Sequence, residues 1–182
     1  MLFPEKQIFL KDGAPALLRP ARVEDAAALI DYLVTTAGET EFIMAYPDER
    51  AGLTVEEEEN LLQSVVEAPG RIMMVCEVNG ELAGNCGLHV NTKRKVCHRG
   101  SIAIALYKKY WNRGIGTAMF SYLFDIARAW GLEQLELDYV EGNERGRALY
   151  EKMGFEAVTA LPNAYHLSDG SSRSEIRMVR RL

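Results

Sequence analysis

Cysteine is scarce here: Cys76, Cys86 and Cys97 are the three in 182 residues. An odd count without CxxC spacing excludes a disulfide framework and a paired-cysteine zinc site, and no metal is expected. The plain reading is three small core residues. Positive charge is not in excess either. Lys and Arg number 21 against 26 Asp and Glu, for a formal net charge of −5. Surfaces that bind nucleic acid are ordinarily basic, so no nucleic-acid partner is expected. Long apolar runs are missing. The longest, Ile102 to Tyr107, falls far short of the ~20 residues that span a bilayer, so no membrane partner is expected. The start, MLFPEKQIFLK, carries Glu5 and Lys6 and has no apolar signal-peptide core, which points to a cytoplasmic location. No repeat, low-complexity tract or linker divides the chain, and its length suits a single domain over residues 1–182.

What is present alternates between strand and helix signals. Apolar residues at Gln7–Leu10 and Ala16–Arg19 flank Lys11-Asp12-Gly13, a hairpin pattern closed by Pro20. Leu29, Ile30, Leu33 and Val34 give a helical stripe within Val23–Thr36, with Gly38 as the stop. An irregular stretch, Glu39 to Leu53, follows. Thr54 and Glu57 make a capping box, and the acid run Glu56–Glu59 reads as a solvated first turn. Asn79-Gly80 joins strands Arg71–Val78 and Glu81–Val90. Val96–Tyr107 reads as a central strand covered on both faces, because its IAIAL core is apolar throughout. A helix runs from Gly114 to Gly131, a strand over Leu135–Val140, and a short helix from Asn143 to Gly154. Phe155–Ala160 and Glu175–Arg181 close the sheet around a loop, Leu161–Ser174. The order predicts a mixed α/β fold, mostly antiparallel, with about six or seven strands and four helices.

The stretch YWNRGIGTA places Arg113, Gly114 and Gly116 where a strand feeds a helix. Free N–H groups, a positive helix end and glycines that admit a ligand suit a diphosphate, although a tight turn would use the same residues. A dinucleotide fingerprint would need a third glycine where Met119 stands, and no Gly-Lys-Ser/Thr completes a P-loop. Downstream, Asn143 caps a helix whose third residue is Gly146. A helical glycine costs ~1 kcal/mol against alanine, so something is expected to pack there. Tyr150 lies about two turns beyond Asn143 on the same face and can hold a phenolic proton.

In order, these stretches resemble the GNAT superfamily of acyl-CoA-dependent N-acetyltransferases. Asn112 to Gly116 is similar to the family's (Arg/Gln)-x-x-Gly-x-(Gly/Ala) loop. Asn143 through Ala148-Leu149-Tyr150 to Gly154-Phe155 is similar to its second motif. Leu18-Arg19-Pro20-Ala21 with Glu24-Asp25 is similar to its opening, so the likeness covers about residues 17–181. It implies a sheet whose central strands splay, with acetyl-CoA as co-substrate in the gap. The backbone of Ile104, Ala105 and Leu106 would pair with the pantetheine arm. N–H groups of Asn112, Arg113, Gly114, Ile115, Gly116 and Thr117 would hold the pyrophosphate. Asn143, beside Gly146, would contact the pantetheine, and Tyr150 would protonate the departing thiolate. The acceptor would be a primary amine of a small metabolite or amino acid, attacking directly in a ternary complex. A protein N-terminus and a non-catalytic acyl-CoA sensor are the alternatives.

Two features depart from the family pattern. Trp111 takes the first motif position. Gly100-Ser101 stands where many relatives carry a glutamate base. His98 at the start of the central strand and Glu41, with Glu39, in the irregular segment are the candidate bases. Asp138, His89 and His166 are further candidates. The chain is expected to be a monomer or a homodimer.

Overall fold

Alternating apolar residues in the first half build a meander of antiparallel strands. In the computed structural model, which describes residues 3–182, β1 (Lys6–Phe9) turns into β2 (Pro15–Pro20). β3 (Arg71–Val78) turns at Asn79-Gly80, both at positive φ, into β4 (Glu81–Val90), and β5 (Arg99–Leu106) pairs with β4. Inserted after β2 are α1 (Ala26–Glu39), α2 (Pro47–Ala51) and α3 (Val55–Glu67). The second half runs α4 (Ile115–Ala129), β6 (Gln134–Val140), α5 (Glu144–Lys152), β7 (Glu156–His166) and β8 (Ser172–Arg181). All strands join one eight-stranded sheet, ordered β1-β2-β3-β4-β5-β6-β8-β7, and only the β5–β6 pair is parallel. The sheet is thus wider than expected by one or two strands, and α2 is the additional helix. Pro47 opens α2, and the Tyr46 N–H donates to the Glu49 carboxylate at 2.7 Å.

Period-two alternation assigns the two faces. Met74, Cys76, Cys86 and Leu88 pack with Met119, Phe120 and Leu123 of α4, while Val75 and Leu82 pack with Leu29, Tyr32 and Leu62 of α1 and α3. Arg19 of β2, only 4% exposed, ties that strand to the start of α1 and to β3. It donates to both oxygens of Asp25 at 2.7 and 2.9 Å and to Glu77 at 3.0 Å. Removing one partner of such a buried group typically costs ~3–5 kcal/mol.

Several expectations are corrected. Gly38 does not stop α1, which continues to Glu39. Pro47 Cγ lies 3.8 Å from the position a Cβ would take at Gly38, so the glycine sits where α2 approaches. Glu58 is not solvated but 2% exposed, because it shares one face of α3 with Leu62 and Val65; burial raises its pKa. Cys97 is exposed, whereas Cys76 and Cys86 are buried, and burial pushes both their thiols up to about 12. The span Leu161–Ser174 is largely strand: β7 and β8 pair out to His166 and Ser172 through register shifts at Ala157/Thr159 and Leu161/Tyr165.

The central strand begins at Arg99, not Val96, and is not covered on both faces: Ala103 is exposed and Ile104 to Leu106 are half-buried. The cause is topological. β5 and β6 pair only at Arg99/Gln134, Gly100/Leu135 and Ser101/Glu136, then separate. This is the splay that positions the site.

Candidate active site

Beyond Ser101 and Glu136 the facing edges of β5 and β6 have no strand partner, and a cleft of about 930 Å³ passes between them. Its α4 side is walled by Ile104, Leu106, Ile115, Phe120, Leu137, Tyr139, Leu149 and Tyr150. Its α1 side is walled by Thr36, Glu39, Phe42, Met44, Ala105, Asp138 and Tyr165. Residues 102–106 and 137–140 thus turn alternate side chains to the two mouths, with bare backbone between them.

The α4 mouth holds the glycine loop. Asn112 (φ +63°) and Gly114 (φ +95°) are left-handed, and the first N–H of α4 to find a carbonyl is that of Ala118, on Gly114 at 3.1 Å. The N–H groups from Asn112 to Thr117 donate to no other described residue. A row of free donors at a helix start is an anion cradle. Lys11, Arg145 and Lys152 line the same mouth, and the Lys152 ammonium lies 3.3 Å from Thr117 Oγ1. The cradle therefore fits a diphosphate-bearing group.

The glycines owe their places to different causes. Gly114 is required by its left-handed backbone, where an L side chain is strained. At Gly116 a Cβ would stand 2.8 Å from Leu149 Cδ2, so α5 packs over that position. At Gly146 it would stand 2.7 Å from the Asn143 amide, which folds back so that its Oδ1 accepts the Gly146 N–H at 2.9 Å. What packs against the helical glycine is thus its own cap. The Asn143 side chain still lines the cleft. The Arg113 side chain does not. It pairs with Asp12 at 2.7 Å and lies over the Tyr110 ring, so only its backbone faces the loop. Trp111, the unexpected motif residue, donates its indole N–H to the Leu106 carbonyl at 2.9 Å. Its ring carries the Arg145 guanidinium at 4.7 Å, and Arg145 in turn donates to Asn112 Oδ1 at 2.8 Å. The end of β5, the loop and α5 are joined through these three side chains.

Tyr150 lies on the α4 wall of the cleft. It is 8% exposed and packs against Phe120 at 6.0 Å and Tyr139 at 5.8 Å between ring centroids. Its hydroxyl hydrogen-bonds to no other described residue, and burial pushes its pKa up to about 12. The phenol is therefore a held proton aimed at whatever enters the cleft.

The α1 mouth holds acids. Glu39 Oε2 accepts the Lys108 N–H at 2.7 Å, and its other oxygen has no partner among the described residues. Asp138 takes both Nε and Nη2 of Arg177 at 2.8 and 2.9 Å. Tyr165 donates to Glu175 at 2.8 Å, and burial first, then Glu175, push its phenol up to about 12.

Of the candidate bases, only Glu39 and Asp138 reach the cleft. His98 sits in the turn before β5, where its carbonyl takes the N–H groups of Glu133 and Gln134, at the closed end of the β5–β6 pair. Eight residues of strand at ~3.3 Å each put it about 25 Å from the open end at Leu106. His89, opposite Ser101, is at the same closed end. Glu41 is exposed and outside the cleft lining, while the His166 ring pairs with Ser172 Oγ at 3.1 Å. Lys11, Lys152 and Tyr165 line the cleft without having been foreseen. The first two are surface-type lysines from distant segments, and Tyr165 lies on a stretch of strand read as loop.

An open sheet whose central strands part around a cleft, with a row of free N–H donors at one mouth, defines the class of fold. More specifically, the chain belongs to the GNAT acetyltransferase family, whose model matches residues 28–155. It is 34% identical over 67 residues to the ribosomal protein bS18-alanine N-acetyltransferase of Escherichia coli strain K12, which covers 37% of this chain and 45% of that protein. It is 51% identical over 47 residues to the mycothiol acetyltransferase of Beutenbergia cavernae, covering 25% and 16%. The chain thus spans less than half the length of these curated relatives. Among solved structures, a GNAT-family acetyltransferase from Streptococcus pneumoniae matches with a TM-score of 0.85 at 27% identity, over 92% of this chain and 99% of that one. A structure from Salmonella typhimurium with its cofactor acetyl-CoA matches in fold, with a TM-score of 0.78 at 17% identity, over 92% and 94%.

Proposed function

We propose that the chain transfers the acetyl group of acetyl-CoA to a primary amine by direct attack within a ternary complex. The observation that carries this reading is the row of N–H groups from Asn112 to Thr117, without partners among the described residues, opening on the same cleft as Tyr150. Acetyl-CoA, when bound, supplies an activated acyl group on a thioester. The loop N–H groups, with Lys11 and Lys152, hold its diphosphate. The bare edge of Ile104–Leu106 offers backbone donors and acceptors to the pantetheine amides, and an N–H of that edge polarises the thioester carbonyl. Tyr150 holds its proton throughout the neutral range and hydrogen-bonds the sulfur as negative charge develops there. Glu39, through its free oxygen, takes the proton that the ammonium must lose before it attacks. Asp138, already engaged by Arg177, acts on that proton through water.

The acceptor side favours a small amine. A second reading, transfer to a protein's amino-terminal residue, draws support from the likeness to the E. coli enzyme named for a ribosomal-protein alanine. The test begins with thermal unfolding in acetyl-CoA, CoA, NAD and ATP. A ligand at 100 times its Kd adds ~2.7 kcal/mol of stability. A shift with acetyl-CoA and CoA alone supports the reading. Thiol release from acetyl-CoA is then measured against a panel of amines and peptides. No shift with either thioester or thiol would leave the protein a member of the fold without the activity.

A further inference from the structure

The cleft is electrically divided. Its cations, Lys11, Arg145 and Lys152, all stand at the α4 mouth, with one acid, Glu144, next to Arg145 at the start of α5. At the α1 mouth the ionisable lining groups are Glu39 and Asp138, with Tyr165, and among the described residues neither lysine, arginine nor histidine lines that side. The Arg177 guanidinium is held on both oxygens of Asp138 and lies outside the cleft lining, as do the nearby Lys108 and Arg173. Glu39 keeps one oxygen without a partner among the described residues, and the aromatic Phe42 and Tyr165 line the same cleft.

We infer that the acceptor is an amine whose ammonium has no carboxylate beside it, so that the α-amino groups of free amino acids are excluded. This rests on the acetyl-transfer reading of the same cleft. An ammonium entering the α1 mouth meets a free carboxylate oxygen and ring faces that attract a cation. A carboxylate on the neighbouring carbon enters with it. It finds no cation to pair with, loses its water, and stands against Glu39. Specificity comes from this unfavourable arm as much as from the favourable one. An amino-acid acceptor would need an arginine or lysine on this side, as carboxylate recognition ordinarily uses. A small amine and the first residue of a polypeptide both satisfy the rule, since the carboxyl of the latter is an amide.

Four pairs test the inference: agmatine with arginine, isoamylamine with leucine and tyramine with tyrosine, each differing by one carboxylate, and alanyl-glycine amide with alanine, in which an amide stands in the carboxylate's place. Binding to the CoA-loaded chain is measured by calorimetry, and turnover by thiol release from acetyl-CoA. The member lacking the carboxylate is expected to bind at least ~10-fold tighter in the pairs that bind. Preference within the first three pairs identifies a small amine, and preference confined to the alanyl pair identifies a polypeptide end. Equal or tighter binding of the amino acids, or no binding by any member, overturns the inference. Failure of CoA itself to bind would instead overturn the acetyl-transfer reading. Glu39→Gln should draw the binding ratio toward one, a readout that loss of a catalytic base alone would not move. An unchanged ratio removes Glu39 from the selection.

Discussion

The two mouths of the cleft are built differently. The α4 mouth is made mainly of two short continuous stretches, residues 104–120 and 143–152, joined by Lys11, Leu137 and Tyr139, and its donors are backbone N–H groups held by a strand end, a left-handed turn and a helix start. The α1 mouth is assembled across long sequence distances. Glu39 reaches Lys108, Phe42 stands near Gly142, the Tyr46 hydroxyl reaches the His166 carbonyl, and Tyr165 arrives on β7. Backbone donors read a phosphate whatever the side chains are, so the α4 mouth tolerates Trp111 at a position where the family pattern has a different residue. Side chains alone write the α1 mouth, so it is free to differ from one protein to the next.

Tyr150 lines the cleft from the α4 side, and its removal should have the largest effect. Tyr150→Phe is expected to lower kcat ~100-fold, the low end for a positioned acid, with little change in the binding of acetyl-CoA. Steady-state kinetics checks this, and unchanged turnover would take the phenol out of the reaction. The pH profile sharpens the point. Burial raises the Tyr150 pKa to about 12, so the protonated form persists below that pH and is lost only above it. The wild-type profile should therefore show no descending limb from this group up to about pH 10, where a free phenol would already be titrating. Its ascending limb then belongs to the amine and its base.

Next in size is a change confined to the α4 mouth. Gly114→Val forces a branched side chain into φ +95°, where the strain is ~1–2 kcal/mol, and the loop relieves it by turning its N–H groups away. The Kd for CoA should rise ~10-fold. Calorimetry with CoA alone measures it, and an unaltered Kd would mean that the loop is a turn and nothing more.

The same contrast explains what could be read in advance. Asp12-Gly13, Asn79-Gly80, the Thr54–Glu57 box and the Asn143 cap are local patterns, each decided within four residues, and each stands where the spacing put it. Gly114 and Tyr150 were legible for that reason. The reading of His98 as a base failed on a global property: periodicity assigns a strand's faces but not which of its ends opens. Glu41 failed on register, because α1 ran through Gly38 and carried Glu39, two residues earlier, to the cleft. Leu161–Ser174, read as loop, contains Pro162 and the left-handed Asn163, yet the strands close around that irregularity and deliver Tyr165. Glu58 went under the helix because burial follows the face, and Leu62 and Val65 define that face.

The smallest effect belongs to Trp111, and it tests whether the two mouths are independent. Phenylalanine at this position keeps an aromatic face for Arg145 and loses only the hydrogen bond to the Leu106 carbonyl. That carbonyl sits on a half-buried residue where water can replace the donor, so the loss should be near ~0.5–1 kcal/mol, a change of about 2- to 5-fold. If the bond only steadies the phosphate loop, Trp111→Phe raises the KM for acetyl-CoA by that factor and leaves the KM for the amine alone. β5 has two sides, however. Leu106 faces α4, while Ala105 packs toward α1 and Lys108 N–H holds Glu39 just beyond. A strand end that shifts on losing its tether would move Glu39 as well. Both KM values would then rise together, and the two mouths would be one mechanical unit hinged on the last residues of β5.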